Sequence, residues 1–224
     1  MTEAELSLAD NPLMHSKARR GLASWLGKAW LRAFGWKIEG GAPEVRKAVV
    51  VAAPHTSWWD FPFTLATSSA LGLEMSWLGK HTLFRPPVGA VMRWLGGVSV
   101  DRSKRSDMVS TVIDILNAHQ ELFLVLSPEG TRRRASRWKT GFYHIALGAK
   151  VPIVLGYLDY RTKTAGLGEV FWPSGDIQAD MKKIRAFYTG IQGRHPERMG
   201  EVAVGPAPIF TTGLFGQTPR WGTA

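Results

Sequence analysis

The chain has no cysteine among its 224 residues. That excludes disulfides, thiolate metal ligands and a cysteine nucleophile, and it fits a reducing compartment. A thioester relay through the protein's own sulfur is excluded on the same ground. Long apolar runs are also missing. Residues 48–73 are interrupted by Asp60 and broken by Pro54 and Pro62, and residues 202–219 are uncharged but hold three prolines and three glycines. A membrane-spanning helix needs about 20 apolar residues without such breaks. The opening Met1-Thr2-Glu3-Ala4-Glu5 lacks the basic region of a signal peptide. No GxGxxG, P-loop or G-x-S-x-G pattern occurs, which argues against a dinucleotide enzyme, an NTPase and a serine hydrolase. His15, His81, His119, His144 and His195 have no metal-binding spacing, so no metal site is expected.

Acidic residues are the scarcer charge. Asp and Glu number 18 against 28 Lys and Arg, a formal charge of +10. Such a balance favours an anionic partner: a phosphate-bearing substrate, an acidic carrier protein, an acidic membrane face or nucleic acid. The 10 tryptophans lean toward a membrane interface. The aromatics fall mostly in apolar stripes and not between basic residues, so no specific nucleic-acid groove is expected.

What is present is organised around residues 49–63. The apolar run Val49-Val50-Val51-Ala52-Ala53 reads as a buried strand, stopped by Pro54 and followed by His55. Asp60 comes five residues later. On one continuous helix, residues five apart point about 140° away from each other. Pro62 suits a helix's first turn, so His55 is placed on a turn and Asp60 near the start of a helix running through Ala70. The carboxylate can then fold back to the imidazole, fix its tautomer and leave the other nitrogen as a base. The alternative is a buried histidine that caps the turn.

A second run, Leu122 to Leu126, ends in Ser127-Pro128-Glu129-Gly130-Thr131-Arg132. Glu129, Gly130, Thr131 and Arg132 at a strand end make a compact anion site: glycine allows close backbone approach, threonine donates a hydroxyl and arginine offers a planar fork. Lys80 also falls at a strand end, as a point charge for phosphate or a solvated lysine. Arg133, Arg134 and Arg137 read as a basic loop.

Leu22, Trp25, Leu26, Ala29, Trp30, Ala33 and Phe34 form an apolar stripe at helical period. Arg19, Arg20, Ser24, Lys28 and Arg32 take the other side. Such a helix either lies in a bilayer interface through Trp25, Leu26, Trp30 and Phe34, or packs on the domain. Further strands are expected at 75–78, 98–100, 151–157 and 168–172. Helices are expected at 87–95, at 106–119 with Ser106 as its cap, at 141–150 and from Ile177 to Tyr188. Strands and helices alternate, so the class is α/β with a mainly parallel or mixed sheet flanked by helices. The expected organisation is an amphipathic segment at 1–40, frayed up to about residue 16, a main domain at 41–200 and an irregular tail at 201–224.

His55-x4-Asp60, Lys80 with Phe84-Arg85-Pro86 and the stretch to Asp101-Arg102, Pro128-Glu129-Gly130-Thr131-Arg132, and Val151-Pro152-Ile153-Val154 occur in that order. Together they resemble the glycerolphosphate and lysophosphatidic acid acyltransferase family, over roughly residues 49–160. Pro54 stands where many relatives carry asparagine, and no second proline follows Pro152 in the fourth block. The resemblance implies a glycerolphosphate-acyltransferase-like fold. It implies acyl transfer from acyl-CoA or acyl carrier protein, as co-substrate and not cofactor, to a lysophospholipid hydroxyl, with 1-acylglycerol-3-phosphate as the leading acceptor. His55 and Asp60 would be the base pair. Glu129, Gly130, Thr131, Arg132, Lys80 and Arg102 would hold the acceptor's phosphate, and Pro152 would shape the pocket edge. A peripheral place on the cytoplasmic side of the cell membrane is implied too. Other acceptors (another lysolipid, an amino-acid lipid, a glycolipid) or a non-catalytic basic binding module are the alternatives.

Overall fold

In the computed structural model, residues 17–100 and 105–205 are described. The expectations for residues 1–16, for most of the tail and for Arg102 lie outside them. Chain order is α1 (Lys17–Ala33), β1 (Lys37–Glu39), β2 (Lys47–Ala53), α2 (Asp60–Ala70), β3 (Met75–Lys80), a 3-10 turn (His81–Phe84), α3 (Gly89–Trp94) and β4 (Gly97–Val100). Then follow α4 (Arg105–Ala118), β5 (Leu122–Leu126), α5 (Gly141–Ala149), β6 (Ile153–Asp159), β7 (Thr164–Phe171), α6 (Ile177–Tyr188) and a last 3-10 turn (Pro196–Arg198). The helix expected to be capped by Ser106 starts one residue earlier, at Arg105.

The strands form one seven-stranded sheet in the order β1-β7-β6-β2-β5-β3-β4. Every pairing is parallel except β6 with β7. Only four residues, 160–163, connect β6 to β7, too few for a crossover, so β7 must return antiparallel. The sheet is therefore mixed. β2 is its centre. Val49, Val51 and Ala53 face one side with Leu122, Leu124, Ile153 and Leu155, beneath Val112, Leu116, Phe142 and Ile184 of the covering helices. Ala48 and Val50 face the other side with Phe123, Val125 and Val154. This period-2 alternation with both faces covered explains why the strand sequences are apolar throughout.

α1 packs against α2 mainly through a face beside its apolar stripe, with Trp30 and Phe34 of the stripe touching Phe63 at its edge. Leu31 is buried, Ser24 Oγ donates to the Ala70 carbonyl at 3.2 Å, and Gly27 lies so close that an added Cβ would sit 2.5 Å from the Ala66 carbonyl oxygen. A face of small residues thus makes the contact. Ser24, expected on the solvent side, belongs to it. The outer part of the stripe stays in the open, with Trp25 at 65% and Leu26 at 52% of full exposure, while Trp30 and Phe34 are partly covered by Phe63 and by each other. Among the described residues, no helix is long and apolar enough to cross a membrane.

Candidate active site

Three neighbouring strands end on the same edge of the sheet. β2 runs beside β5, with Val51 opposite Leu126, and beside β6, with Ala53 opposite Tyr157. His55, Glu129 and Tyr160 each follow the end of one of these strands. In open α/β sheets this edge is where ligands bind.

Asp60 opens α2 and is only 3% exposed. Its Oδ2 accepts the backbone N–H groups of Thr56 at 2.8 Å and Ser57 at 2.9 Å, and lies 3.0 Å from His55 Nδ1. Its Oδ1 accepts the Tyr160 hydroxyl at 2.8 Å. Four donors therefore hold one carboxylate, two of them from the turn that carries the histidine. With Asp60 as acceptor the imidazole proton sits on Nδ1. Nε2 makes no hydrogen bond among the described residues, and the His55 side chain is a quarter exposed, at 25%.

Glu129 has a different position from the one expected. Its Oε2 accepts the backbone N–H of His55 at 2.7 Å, with the Ser127 hydroxyl 3.4 Å away. Burial pushes its carboxyl up to about 7, against the opposing pull of the His55 N–H bond and the His55 charge. Turned onto the histidine backbone, and repulsive to phosphate in its charged form, Glu129 is placed to hold His55. Gly130 has φ +65°, a conformation that favours glycine. Thr131 Oγ1 accepts the Arg133 N–H at 3.2 Å. The Arg132 guanidinium stacks on Trp58, 3.3 Å from the ring centre. Burial lowers its proton affinity while the charge of Asp60 raises it.

Next to the dyad lies an open cleft of about 540 Å³, lined by Thr56, Trp58, Trp59, Arg132, Arg194 and Arg198 among others. On the other side, His55 and Asp60 border a narrow apolar slot between α2 and the sheet, walled by small side chains such as Ala52, Thr64, Thr67, Ser68 and Gly156.

Two expected residues are not brought to this site. Pro152 precedes β6, and its carbonyl accepts the Val49 N–H at 3.0 Å. Because β2 and β6 are parallel, that places it at the beginning of the strands, about 20 Å from their ends at some 3.3 Å per residue. It cannot border the cleft. Lys80 ends β3 on the correct edge but is exposed and two strands away from β2. No hydrogen bond or ion pair links it to His55, Asp60 or Arg132 among the described residues. Tyr160, Arg194 and Arg198, in contrast, reach the site without having been singled out. Tyr160 had one readable signal: it follows a buried strand just as His55 and Glu129 do. Burial raises its hydroxyl's proton affinity most, and the Asp60 charge raises it further, so Tyr160 remains a donor. Among the described residues, no group of three or more His, Asp or Glu side chains is placed to hold a metal ion.

Residues 37–155, more than half of the chain, match the family profile described as Acyltransferase. The 1-acyl-sn-glycerol-3-phosphate acyltransferase of Haemophilus influenzae is 28% identical over 142 residues, covering 59% of this chain and 58% of the relative. The enzyme of that name from Salmonella typhimurium is 34% identical over 130 residues, 54% of this chain and 52% of the relative. The chain thus spans little more than half the length of these relatives. The crystal structure of the 1-acyl-sn-glycerophosphate (LPA) acyltransferase PlsC from Thermotoga maritima is similar in fold, with a TM-score of 0.55 and 21% identity over 80% of this chain and 82% of that one.

Proposed function

The chain belongs to the Acyltransferase family, and on that premise we propose that it moves a fatty acyl group from an acyl thioester to the hydroxyl of a lysophospholipid, with 1-acylglycerol-3-phosphate as acceptor and phosphatidic acid as product. The observation that carries this reading is the His55–Asp60 pair, 3.0 Å apart, with Nε2 free beside an arginine-lined cleft. An alcohol is a poor nucleophile at neutral pH. Nε2 takes its proton as the oxygen attacks the thioester carbonyl, and Asp60 holds the imidazolium that forms. General-base help of this kind is worth about 10²–10⁴-fold. The tetrahedral intermediate then expels the thiolate, which takes up a proton. The acceptor attacks directly, so no acyl-enzyme is needed.

The cleft suits the acceptor's phosphate, with Arg132 as its fork and Gly130 and Thr131 shaping the loop. The donor is acyl-CoA or acyl carrier protein. The exposed stripe of α1 supports peripheral attachment to an anionic membrane, on the cytoplasmic side. Phe34 lies 6.0 Å from Trp59, ring centre to ring centre, so the stripe runs up to the edge of the cleft. Lipid from the bilayer would reach the dyad along it. The test is an acceptor panel with long-chain acyl-CoA and acyl carrier protein as donors. Phosphatidic acid from lysophosphatidic acid, at a rate well above other lysolipids, is expected; a preference for an amino-acid lipid or glycolipid acceptor would replace this assignment.

A further inference from the structure

The cleft has two cationic walls, and only one lies within the residues matched to the family. Arg132 and Arg133 come from the loop after β5. Arg194 and Arg198 come from the segment after α6, beyond residue 155 where that match ends. The later segment is fastened at both sides of the dyad. Tyr160 N–H donates to the Gln192 carbonyl at 2.8 Å, and Gln192 N–H donates to Asp159 at 3.2 Å. Gly193 lies against Thr56, where a Cβ would fall 2.7 Å from Oγ1. His195 N–H donates to Thr56 Oγ1 at 3.2 Å, and Arg198 donates to the Thr56 carbonyl at 3.4 Å. Thr56 is the residue after His55. Arg194 is therefore carried at a set height above the dyad.

The two walls are built alike. Arg132 lies over Trp58, and Arg194 lies 5.4 Å from the centre of the Trp59 ring. Arg198 shares its Nε with Glu197 at 3.5 Å, and Glu197 is also 3.4 Å from His195. Arg194 has no such carboxylate among the described residues, and its charge is felt at Tyr160. Two guanidiniums on adjacent tryptophans, lining one cleft with no carboxylate among its described lining, favour an anion between them.

We propose that Arg194 is an acceptor-binding residue: it supplies the second cation for the headgroup and makes the cleft select a phosphomonoester over a phosphodiester. This rests on the lysophospholipid reading above. A phosphomonoester carries nearly two charges at neutral pH and three outer oxygens, enough for a guanidinium on each side. A phosphodiester has one charge and two such oxygens, and its second ester blocks one side.

The experiment titrates wild type, Arg194→Gln and Arg194→Lys with glycerol 3-phosphate and with glycerophosphoglycerol, read by tryptophan fluorescence. Kinetics with lysophosphatidic acid and lysophosphatidylglycerol run in parallel. Arg194 is exposed, so equal melting temperatures are expected. Losing a charge-assisted hydrogen bond predicts monoester binding weakened about 10- to 100-fold in Arg194→Gln, with the diester much less affected and lysine restoring part of the loss. KM for lysophosphatidic acid should rise more than kcat falls. No monoester binding by wild type, or binding that the substitution leaves unchanged, overturns the proposal. Equal weakening toward both ligands also overturns it and assigns Arg194 to general attraction of anionic surfaces. Arg194-dependent monoester binding without any product from lysophosphatidic acid would retain the site and refute the acceptor assignment instead.

Discussion

Tyr160→Phe isolates one hydrogen bond. The substitution removes a hydroxyl and keeps a ring that packs edge-on against Trp36 at 4.9 Å and Phe63 at 6.1 Å. The lost bond is the 2.8 Å contact to Asp60 Oδ1. Asp60 is 3% exposed, so water cannot readily replace the donor, while Oδ2 keeps its own three partners. Leaving a buried charged acceptor one donor short costs about 1–3 kcal/mol. If the carboxylate's orientation matters most when His55 becomes imidazolium, that cost falls on the transition state, and kcat drops about 10- to 100-fold. KM for the acceptor should change little, because Tyr160 does not line the cleft. Initial rates of thiol release at saturating acceptor, with a thermal melt of the same preparation, make the test. An unchanged kcat would mean that the Oδ2 donors suffice to orient Asp60. A raised KM with unchanged kcat would mean that Tyr160 touches substrate. Either result refutes the reasoning.

Three other predictions follow from the geometry. Because folded Glu129 has its carboxyl raised to about 7, the folded state binds that proton more tightly than the unfolded chain. Its contribution to stability is lost as pH rises from about 4.5 to about 7, on the order of 3 kcal/mol. Glu129→Gln should therefore gain stability relative to wild type at pH 8 compared with pH 5 in urea melts; the same difference at both pH values would contradict this. Gly27→Ala should destabilise, although alanine is favoured by about 1 kcal/mol in helices, since its Cβ would meet the Ala66 carbonyl oxygen at 2.5 Å. A cost of about 1–3 kcal/mol and a Tm lower by several degrees are expected, whereas a raised Tm would show that α1 is not docked this tightly. Replacing Trp25 and Leu26, two of the most open residues of the stripe, together with serine should weaken sedimentation with anionic liposomes about 10-fold or more with little change in Tm; unchanged binding would move the membrane contact elsewhere.

Much of this was legible in the sequence because the two central strands, β2 and β5, are short apolar runs closed by proline. Pro54 and Ser127-Pro128 mark where the chain leaves the sheet, and the side chains placed just beyond them are the ones that meet. Pro152 shows the limit of the same logic. It too adjoins a strand, but at the start, and only the parallel register of β6 on β2 tells the two ends apart. Glu129 was visible as a residue but not as a backbone acceptor, since its partner lies 74 positions away. Tyr160 follows a buried strand and was legible to that extent, whereas Arg194 reaches the cleft beside the dyad through tertiary packing that no local pattern encodes. For α1 the apolar stripe was legible, whereas the docking face was not: Gly27 and Ser24 have little hydrophobic signature, and their smallness matters only against α2.

The central claim is that His55 is the base of an acyl transfer. The most direct measurement is thiol release from long-chain acyl-CoA, with and without lysophosphatidic acid, by wild type and His55→Ala at equal concentration and matched Tm. Release that depends on the acceptor in wild type and vanishes in His55→Ala is predicted. Equal release from both proteins would contradict the account at its centre.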